Sequence, residues 1–309
     1  MSKIVVIGSS NTDLIAKVKD FPKAGETIKG VFYSQAMGGK GANQALAAHR
    51  LGGDVKFVTS LGKDANGLNS LEYYKKEGLD ASLSLLVDNA PSGVAMIWVD
   101  EKGENSIVII SGANEKFSSD YIHEIKKEIL KADIIVLQLE IPYDTVKTVC
   151  DVAYEHNKQI LLNVAPARKL DTDIIKKINI LVVNETEAEI ISGERIHEIG
   201  EQAMVDNLLA LGAKSVVLTL GSKGCIMKNE SEYHTIPAFN VKSVDSTGAG
   251  DTFCGALAVG LTKGKNWKDS LIFASAASAI CVTRMGVQPS IPTENEVFDF
   301  LRERVIHSF

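Results

Sequence analysis

Asp133-Ile-Ile-Val-Leu-Gln-Leu139, the amphipathic stretch 143–157 and Gln159-Ile-Leu-Leu-Asn-Val164 decide the fold. The two short runs are almost continuously apolar, which fits strands buried on both faces, and the stretch between them has the length and periodicity of a crossover helix. Strand, helix and strand in that order make a parallel unit. Working outward, Ile178-Asn-Ile-Leu-Val-Val183 and Ser215-Val-Val-Leu-Thr-Leu220 read as further strands, with a helical segment near 199–211 between them and an opening strand at Lys3–Ile7. The pattern predicts an α/β fold, a mostly parallel sheet with helices on both faces.

The first half breaks this rhythm. Residues 12–18 and 26–35, separated by the Pro22/Gly25 turn region, alternate more and carry polar positions; so do 93–100 and 104–111, joined by the turn Asp100-Glu-Lys-Gly103. These pairs are expected to form a small separate sheet, inserted into the main domain as a lid or an oligomer contact. The alternative is an edge extension of the main sheet. With no long linker or repeat, the 309 residues read as one large α/β domain, 1–309.

Composition narrows the function classes. Lys and Arg number 33 against 39 Asp and Glu, a net charge of −6, which disfavours a sequence-independent nucleic-acid binder. Charged residues at 23% and hydrophobic ones at 45% disfavour disorder and fibrous architectures. The four cysteines, Cys150, Cys225, Cys254 and Cys281, form no C-x-x-C pair, and the six histidines show no metal-ligand spacing and read as surface or core residues. No stretch approaches the roughly 20 apolar residues of a membrane span, and Ile4–Ile7 is too short for a signal-peptide core. The expectation is a cytoplasmic protein with no nucleic-acid or membrane partner.

The strongest local signal is Asp245-Ser-Thr-Gly-Ala-Gly-Asp251, followed by apolar residues Phe253, Leu257 and Leu261 at helical spacing. Glycine-rich backbone entering a helix leaves amide N–H groups and a positive dipole end aimed at one spot, which suits a transferring phosphoryl group. Asp251 in the first turn is either a favourable acidic residue at a helix start or a carboxylate placed to take a proton from an attacking hydroxyl. Gly38-Gly-Lys-Gly-Ala-Asn43 is a second glycine-rich turn leading into a helix. Neither stretch matches the G-x-x-x-x-G-K-[ST] or G-x-G-x-x-G patterns, so P-loop and dinucleotide-binding readings lose support. Asn184-Glu-Thr-Glu187 is a capping box by pattern, yet it follows a strand end, where open α/β sheets bind ligands. Thr219–Gly224 reads as a hairpin turn. Asn11 and Asp13, just past the first strand, and Glu140, past another, put polar groups where sugar hydroxyls could bind.

Taken in order, Gly8–Asp13, Gly38–Ala45, Ser92–Ala95, Gly103–Asn105, Gly112–Asn114, Leu139-Glu140, Asn163, Ala165–Arg168, Asn184–Glu189, Asp245–Asp251 and Val282–Ser290 resemble the ribokinase/phosphofructokinase B-type carbohydrate kinase family over essentially the whole chain. The resemblance implies a ribokinase-like three-layer αβα sandwich whose lid is formed by segments of about 12–36 and 92–113. It implies ATP-dependent phosphorylation of D-ribose at O5, giving D-ribose 5-phosphate and ADP. Asp251 would be the general base, and the backbone of Gly248, Ala249 and Gly250 the anion hole. Asn11, Asp13, Gly39, Lys40, Asn43 and Glu140 would bind the sugar together with Asp251. Asn184, Glu187, Thr219, Gly221, Ser222, Lys223, Gly224, Gly250 and Ser275 would lie around ATP and its Mg²⁺. By the same resemblance Asp245, Thr247 and Ser290, with the carbonyls of Cys281, Arg284 and Gly286, would hold an activating K⁺. Ser275 departs from the His or Asn that bacterial members carry near the adenine, which bears on base recognition and not on phosphate chemistry. Family members of this type pair as homodimers through the lid sheet. Two other readings stand beside this one: a kinase of the same fold acting on 2-deoxyribose, a ketohexose or a nucleoside, and a non-catalytic sugar-binding regulator. Asp251 and the Gly-Ala-Gly turn speak against the regulator, since a binder needs no base.

Overall fold

The computed structural model describes residues 3–306. Its strands are β1 (Lys3–Ile7), β2 (Asn11–Lys17), β3 (Phe32–Gly38), β4 (Asp54–Val58), β5 (Ser60–Gly62), β6 (Leu85–Val87), β7 (Gly93–Val99), β8 (Asn105–Ile110), β9 (Ile134–Leu137), β10 (Gln159–Asn163), β11 (Ile180–Asn184), β12 (Ser215–Thr219), β13 (Cys225–Asn229) and β14 (Tyr233–Ile236). Eight of them make the main sheet in the order β14-β13-β12-β11-β10-β9-β1-β4. From β4 to β12 every neighbouring pair is parallel, and β13 and β14 add an antiparallel edge.

Alternation along β1 explains the layers. Val5 and Ile7 belong to one core cluster with Ile122, Val149 and Leu208, while Ile4 and Val6 belong to a second with Ala42, Phe253 and Leu271. Each face of the sheet is thus buried under its own helices, giving three layers, αβα. The sequence expected this arrangement, because the central strands had no polar face to leave in water.

Strand β1 lies between β4 and β9, so the chain leaves it to one side and later returns to the other. That reversal opens a crevice above the carboxyl ends of the strands. Only Gly8–Ser10 separate the end of β1 from β2, which rises directly from the crevice into a second sheet of order β3-β2-β7-β8. Within it β2 pairs antiparallel with β3 and parallel with β7, and β7 pairs antiparallel with β8. This sheet is separate from the main one and not an extension of its edge.

Two expectations about boundaries need correction. The strand expected over 26–35 is β3, Phe32–Gly38, paired from Lys17↔Phe32 to Asn11↔Gly38. Residues 26–31 lie outside the strand, with only Val31 N–H still reaching β2 at the Lys17 carbonyl, 2.7 Å away, and they follow a left-handed Gly25 at φ +81 in an exposed loop. The helix after Gly38-Gly39 begins at Lys40, so Lys40 and Asn43 stand on its first turn and not in the preceding loop. Gly39 at φ 90 ends the extended backbone and acts as the N-cap there. Among the described residues no helix is long and apolar enough to cross a membrane. His307, read from sequence as a surface or core residue, lies outside the described residues.

Candidate active site

The helix Ala249–Thr262 starts from Gly248 at φ 80, and a Cβ at Gly248 would fall 2.5 Å from Val287 Cγ1. Only glycine meets both conditions easily. Gly248 supplies no side-chain cap. Ala249 N–H reaches the Ser246 carbonyl at 3.2 Å, and no protein acceptor meets the Gly250 N–H among the described residues. A Cβ at Gly250 would enter open space, so a ligand can approach this amide closely.

Asp251 follows in the same turn and is buried. Its Oδ2 accepts from Asn43 Nδ2 at 3.0 Å and its Oδ1 from Gln44 Nε2 at 2.9 Å. Both donors stand on the helix Lys40–Arg50. The helices come close because residue 255 is glycine: a Cβ there would lie 2.7 Å from the Gln44 carbonyl oxygen. Sequence reading singled out Asp251 and Asn43 but gave Gln44 no role. Its signal was a second amide, next to Asn43, among Ala42, Ala45, Leu46, Ala47 and Ala48 on a buried helix.

Across the crevice, Asn11 and Asp13 share one face of β2, as the two-residue period of a strand requires. Asn114 Nδ2 donates to Asn11 Oδ1 at 2.8 Å, which leaves the Asn11 NH₂ as the group available to a ligand. Asn114 is a second residue that sequence reading left without a role. Asp13 is buried, and no protein donor reaches its carboxylate among the described residues. Burial, reinforced by nearby Glu140, pushes its pKa up to about 7. Glu140 Oε2 is occupied, accepting from Ser9 Oγ at 2.6 Å and from Lys40 N–H at 3.0 Å. The Lys40 ammonium is opposed by burial, yet Asp251, Glu140 and Glu187 together raise its pKa and keep it charged. It therefore lies within the field of all three carboxylates.

On the other flank, Asn184 at the end of β11 pairs in register with Thr219 at the end of β12. The capping box exists: Asn184 Oδ1 accepts from Glu187 N–H and Glu187 Oε2 from Asn184 N–H, both at 2.8 Å. Capping engages one Glu187 oxygen only. The residue is buried, and burial raises its pKa against the pull of the Asn184 amide and Lys40, with Asp251 adding to the rise. Gly221, Ser222 and Lys223 form a single 3₁₀ turn between β12 and β13, which pair antiparallel as the hairpin expectation required. Lys223 Nζ is turned to Glu201 at 3.0 Å and is mostly exposed. Ser275 Oγ stands 3.9 Å from Cys225 Sγ at the foot of this turn.

The remaining set ties two loops together. Asp245 Oδ1 accepts from Thr247 N–H at 2.9 Å and Thr247 Oγ1 at 2.6 Å, and its Oδ2 accepts from Gly286 N–H at 3.0 Å. Partial burial opposes these donors, but they prevail and hold the Asp245 pKa below its ordinary value. Cys281 Sγ lies 2.9 Å from Ser290 Oγ, and the Cys281 carbonyl accepts from Arg284 N–H at 3.1 Å. Among the described residues no cluster of three or more His, Cys, Asp or Glu side chains is arranged to hold a metal ion.

A covered parallel sheet, a crevice at its switch point and an uncapped helix start beside a buried carboxylate define a small-molecule kinase of the α/β class. A model of pfkB family carbohydrate kinases matches residues 1–294, and the chain belongs to that family. Within it the chain resembles ribokinases. It is 38% identical over 301 residues to the ribokinase of Haemophilus influenzae, covering 96% of this chain and 98% of that one. The crystal structure of a Thermotoga maritima ribokinase matches with a TM-score of 0.90 at 38% identity, over 98% of this chain and all of that one. The structure of an Arabidopsis thaliana ribokinase complexed with ribose and ATP matches with a TM-score of 0.89 at 33% identity, over 98% and 99% of the two chains. A deoxyribokinase of Salmonella typhi is 36% identical over 301 residues, covering 96% of this chain and 98% of its own.

Proposed function

We propose that this carbohydrate kinase transfers the γ-phosphoryl group of ATP to O5 of D-ribose, releasing D-ribose 5-phosphate and ADP. One observation carries the reading: a buried carboxylate, Asp251, held on both oxygens by Asn43 and Gln44, stands beside the unpartnered Gly250 amide at a helix start. Asp251 takes the O5 proton as the O5–P bond forms and the bond from phosphorus to the β-phosphate oxygen breaks. The Gly250 N–H and the helix dipole receive the charge on the γ-phosphoryl oxygens.

Recognition of the sugar falls to Asp13, whose buried carboxylate lacks protein donors and would be satisfied by two adjacent ring hydroxyls. Asn11, Gly39, Lys40, Asn43 and Glu140 complete the set. Asn184, Glu187, Thr219, Gly221, Ser222, Lys223, Gly224 and Ser275 line the nucleotide side. A Mg²⁺ ion bound with ATP would offset phosphate charge there, and few protein ligands would be needed to hold it. Glu187 fits this role, with one carboxylate oxygen outside the cap. Asp245, Thr247 and Ser290 with the carbonyls of Cys281, Arg284 and Gly286 would offer K⁺ only oxygen donors, the ligand type that can replace its hydration shell. The ionised Asp245, braced by Thr247 and Gly286, is the observation that supports it.

The lid supports a homodimer. Phe32 is 57% exposed, Ile107 48% and Ile109 51%, and the strand register puts all three on one face of the lid, an apolar surface that a second copy's lid would cover. A cytoplasmic location suits four buried, unpaired cysteines.

An ADP-release assay across D-ribose, 2-deoxyribose, ketohexoses and nucleosides tests the reading. Highest kcat/KM with D-ribose is expected. Higher kcat/KM with 2-deoxyribose reassigns the substrate toward the Salmonella typhi relative's, and no sugar-dependent ADP release at all overturns the kinase reading.

A further inference from the structure

Asp251 is met by two carboxamides, and each of those is oriented by another amide buried more deeply. Gln138, fully buried just past β9, donates from Nε2 to Gln44 Oε1 at 2.7 Å. With its oxygen engaged, Gln44 must turn its NH₂ outward, where it meets Asp251 Oδ1 at 2.9 Å and Asn163 Oδ1 at 3.1 Å. Gln288 repeats the arrangement on the other oxygen. Its Nε2 donates to Asn43 Oδ1 at 3.1 Å, and Asn43 Nδ2 then meets Asp251 Oδ2 at 3.0 Å.

Both outer residues leave a polar atom unsatisfied. Gln138 Oε1 and Gln288 Oε1 are buried without a hydrogen-bond partner. A buried acceptor of this kind costs stability and calls for an explanation. Turning either amide over would present an acceptor to the inner amide, which would turn in response and set its own oxygen against the Asp251 carboxylate. The negative charge on Asp251 therefore dictates the direction of both chains.

We propose that Gln138, Gln44 and Gln288 are positioning residues for phosphoryl transfer, two amide chains that hold the Asp251 carboxylate in one plane with a lone pair left for the sugar hydroxyl. The proposal rests on the reading of Asp251 as the base. Gln138 and Gln288 act through Gln44 and Asn43.

The decisive variant is Gln138→Met, apolar and of similar length, at a position that does not contact Asp251. Its kcat for D-ribose is expected to fall roughly tenfold, within the ~10²-fold that a slight misplacement of reacting groups can cost, while KM for ribose stays within about twofold. Gln44→Met should lose more kcat. Unchanged kcat in Gln138→Met overturns the proposal, as does a parallel change in kcat and KM with a lowered Tm, which marks a merely structural role. If Gln44→Met does not fold, Gln138→Met and Gln288→Met decide the matter. Asp251→Asn separates the two levels: near-normal kcat there removes the base itself, whereas an inactive Asp251→Asn beside a fully active Gln138→Met removes the positioning role alone.

Discussion

Asp13 and Asp251 face the same crevice and are buried to nearly the same degree, 8% and 7% exposed. Their surroundings differ. Asp251 receives an amide N–H on each oxygen from the neighbouring helix, whereas Asp13 receives none from the described residues and has Glu140 close by. The contrast separates two uses of a buried carboxylate. One is held in place by the fold before any ligand arrives; the other carries an unmet demand for donors that a polyhydroxylated ligand would supply.

The two sites should respond differently to the same substitution. Asp251→Asn is expected to lower kcat by about 10²–10⁴ or more with sugar binding retained, measured by ADP release and by calorimetric titration with ribose. A variant with near-normal kcat would take the base role away from Asp251. Asp13→Asn should act mainly on the sugar, raising KM for ribose by about tenfold or more, because a carboxylate accepting two hydroxyls is replaced by an amide with one acceptor. An effect confined to kcat would contradict the contrast.

Stability should move the other way at Asp13. Its pKa is raised from 3.8 to about 7 on folding, so between those values the folded protein holds a proton that the unfolded chain has released. Stability from this group is therefore complete below pH 4 and is lost as pH rises toward 7, by about 1.4 kcal/mol per unit at the steepest. Asp13→Asn removes that dependence and is expected to raise Tm at pH 8 in the absence of ligand; a lowered Tm would show that Asp13 is not strained. The smallest effect is expected at Asp245, whose hydrogen bonds go to Thr247 and Gly286 and to neither of these carboxylates. Turnover should be several-fold higher in K⁺ than in Na⁺ at equal ionic strength, a ratio of the size that about 1 kcal/mol of loop ordering produces. Asp245→Asn should shrink that ratio, and equal rates in the two salts would count against the cation site.

Much of this was legible because neighbouring residues in the chain carry it. The runs 133–139 and 159–164 announced doubly buried strands, and Asp245–Asp251 announced a glycine turn entering a helix. Asn184-Glu-Thr-Glu187 was legible as a cap, and the cap is present, but its pattern alone did not say that Glu187 would be buried within the field of Lys40 and Asp251. Gln44, Gln138 and Gln288 escaped notice for the same reason. An amide has no characteristic spacing when its partners are 94 and 245 residues distant along the chain, as Gln138 is from Gln44 and Gln288 from Asn43.

By itself the sequence determined the αβα class, the two β pairs that interrupt it, the glycine turn before Asp251 and the polar groups at strand ends. These depend on side-chain period, turn residues and local backbone freedom, all of which act within a few positions of one another. Only the tertiary structure decided that the helices Lys40–Arg50 and Ala249–Thr262 meet across Gly255, that Asp251 is held on both oxygens and that Asp13 is left without a donor. Hydrogen bonding and desolvation act over a few ångströms of space, and which residues share that space is set by the packing of the whole chain.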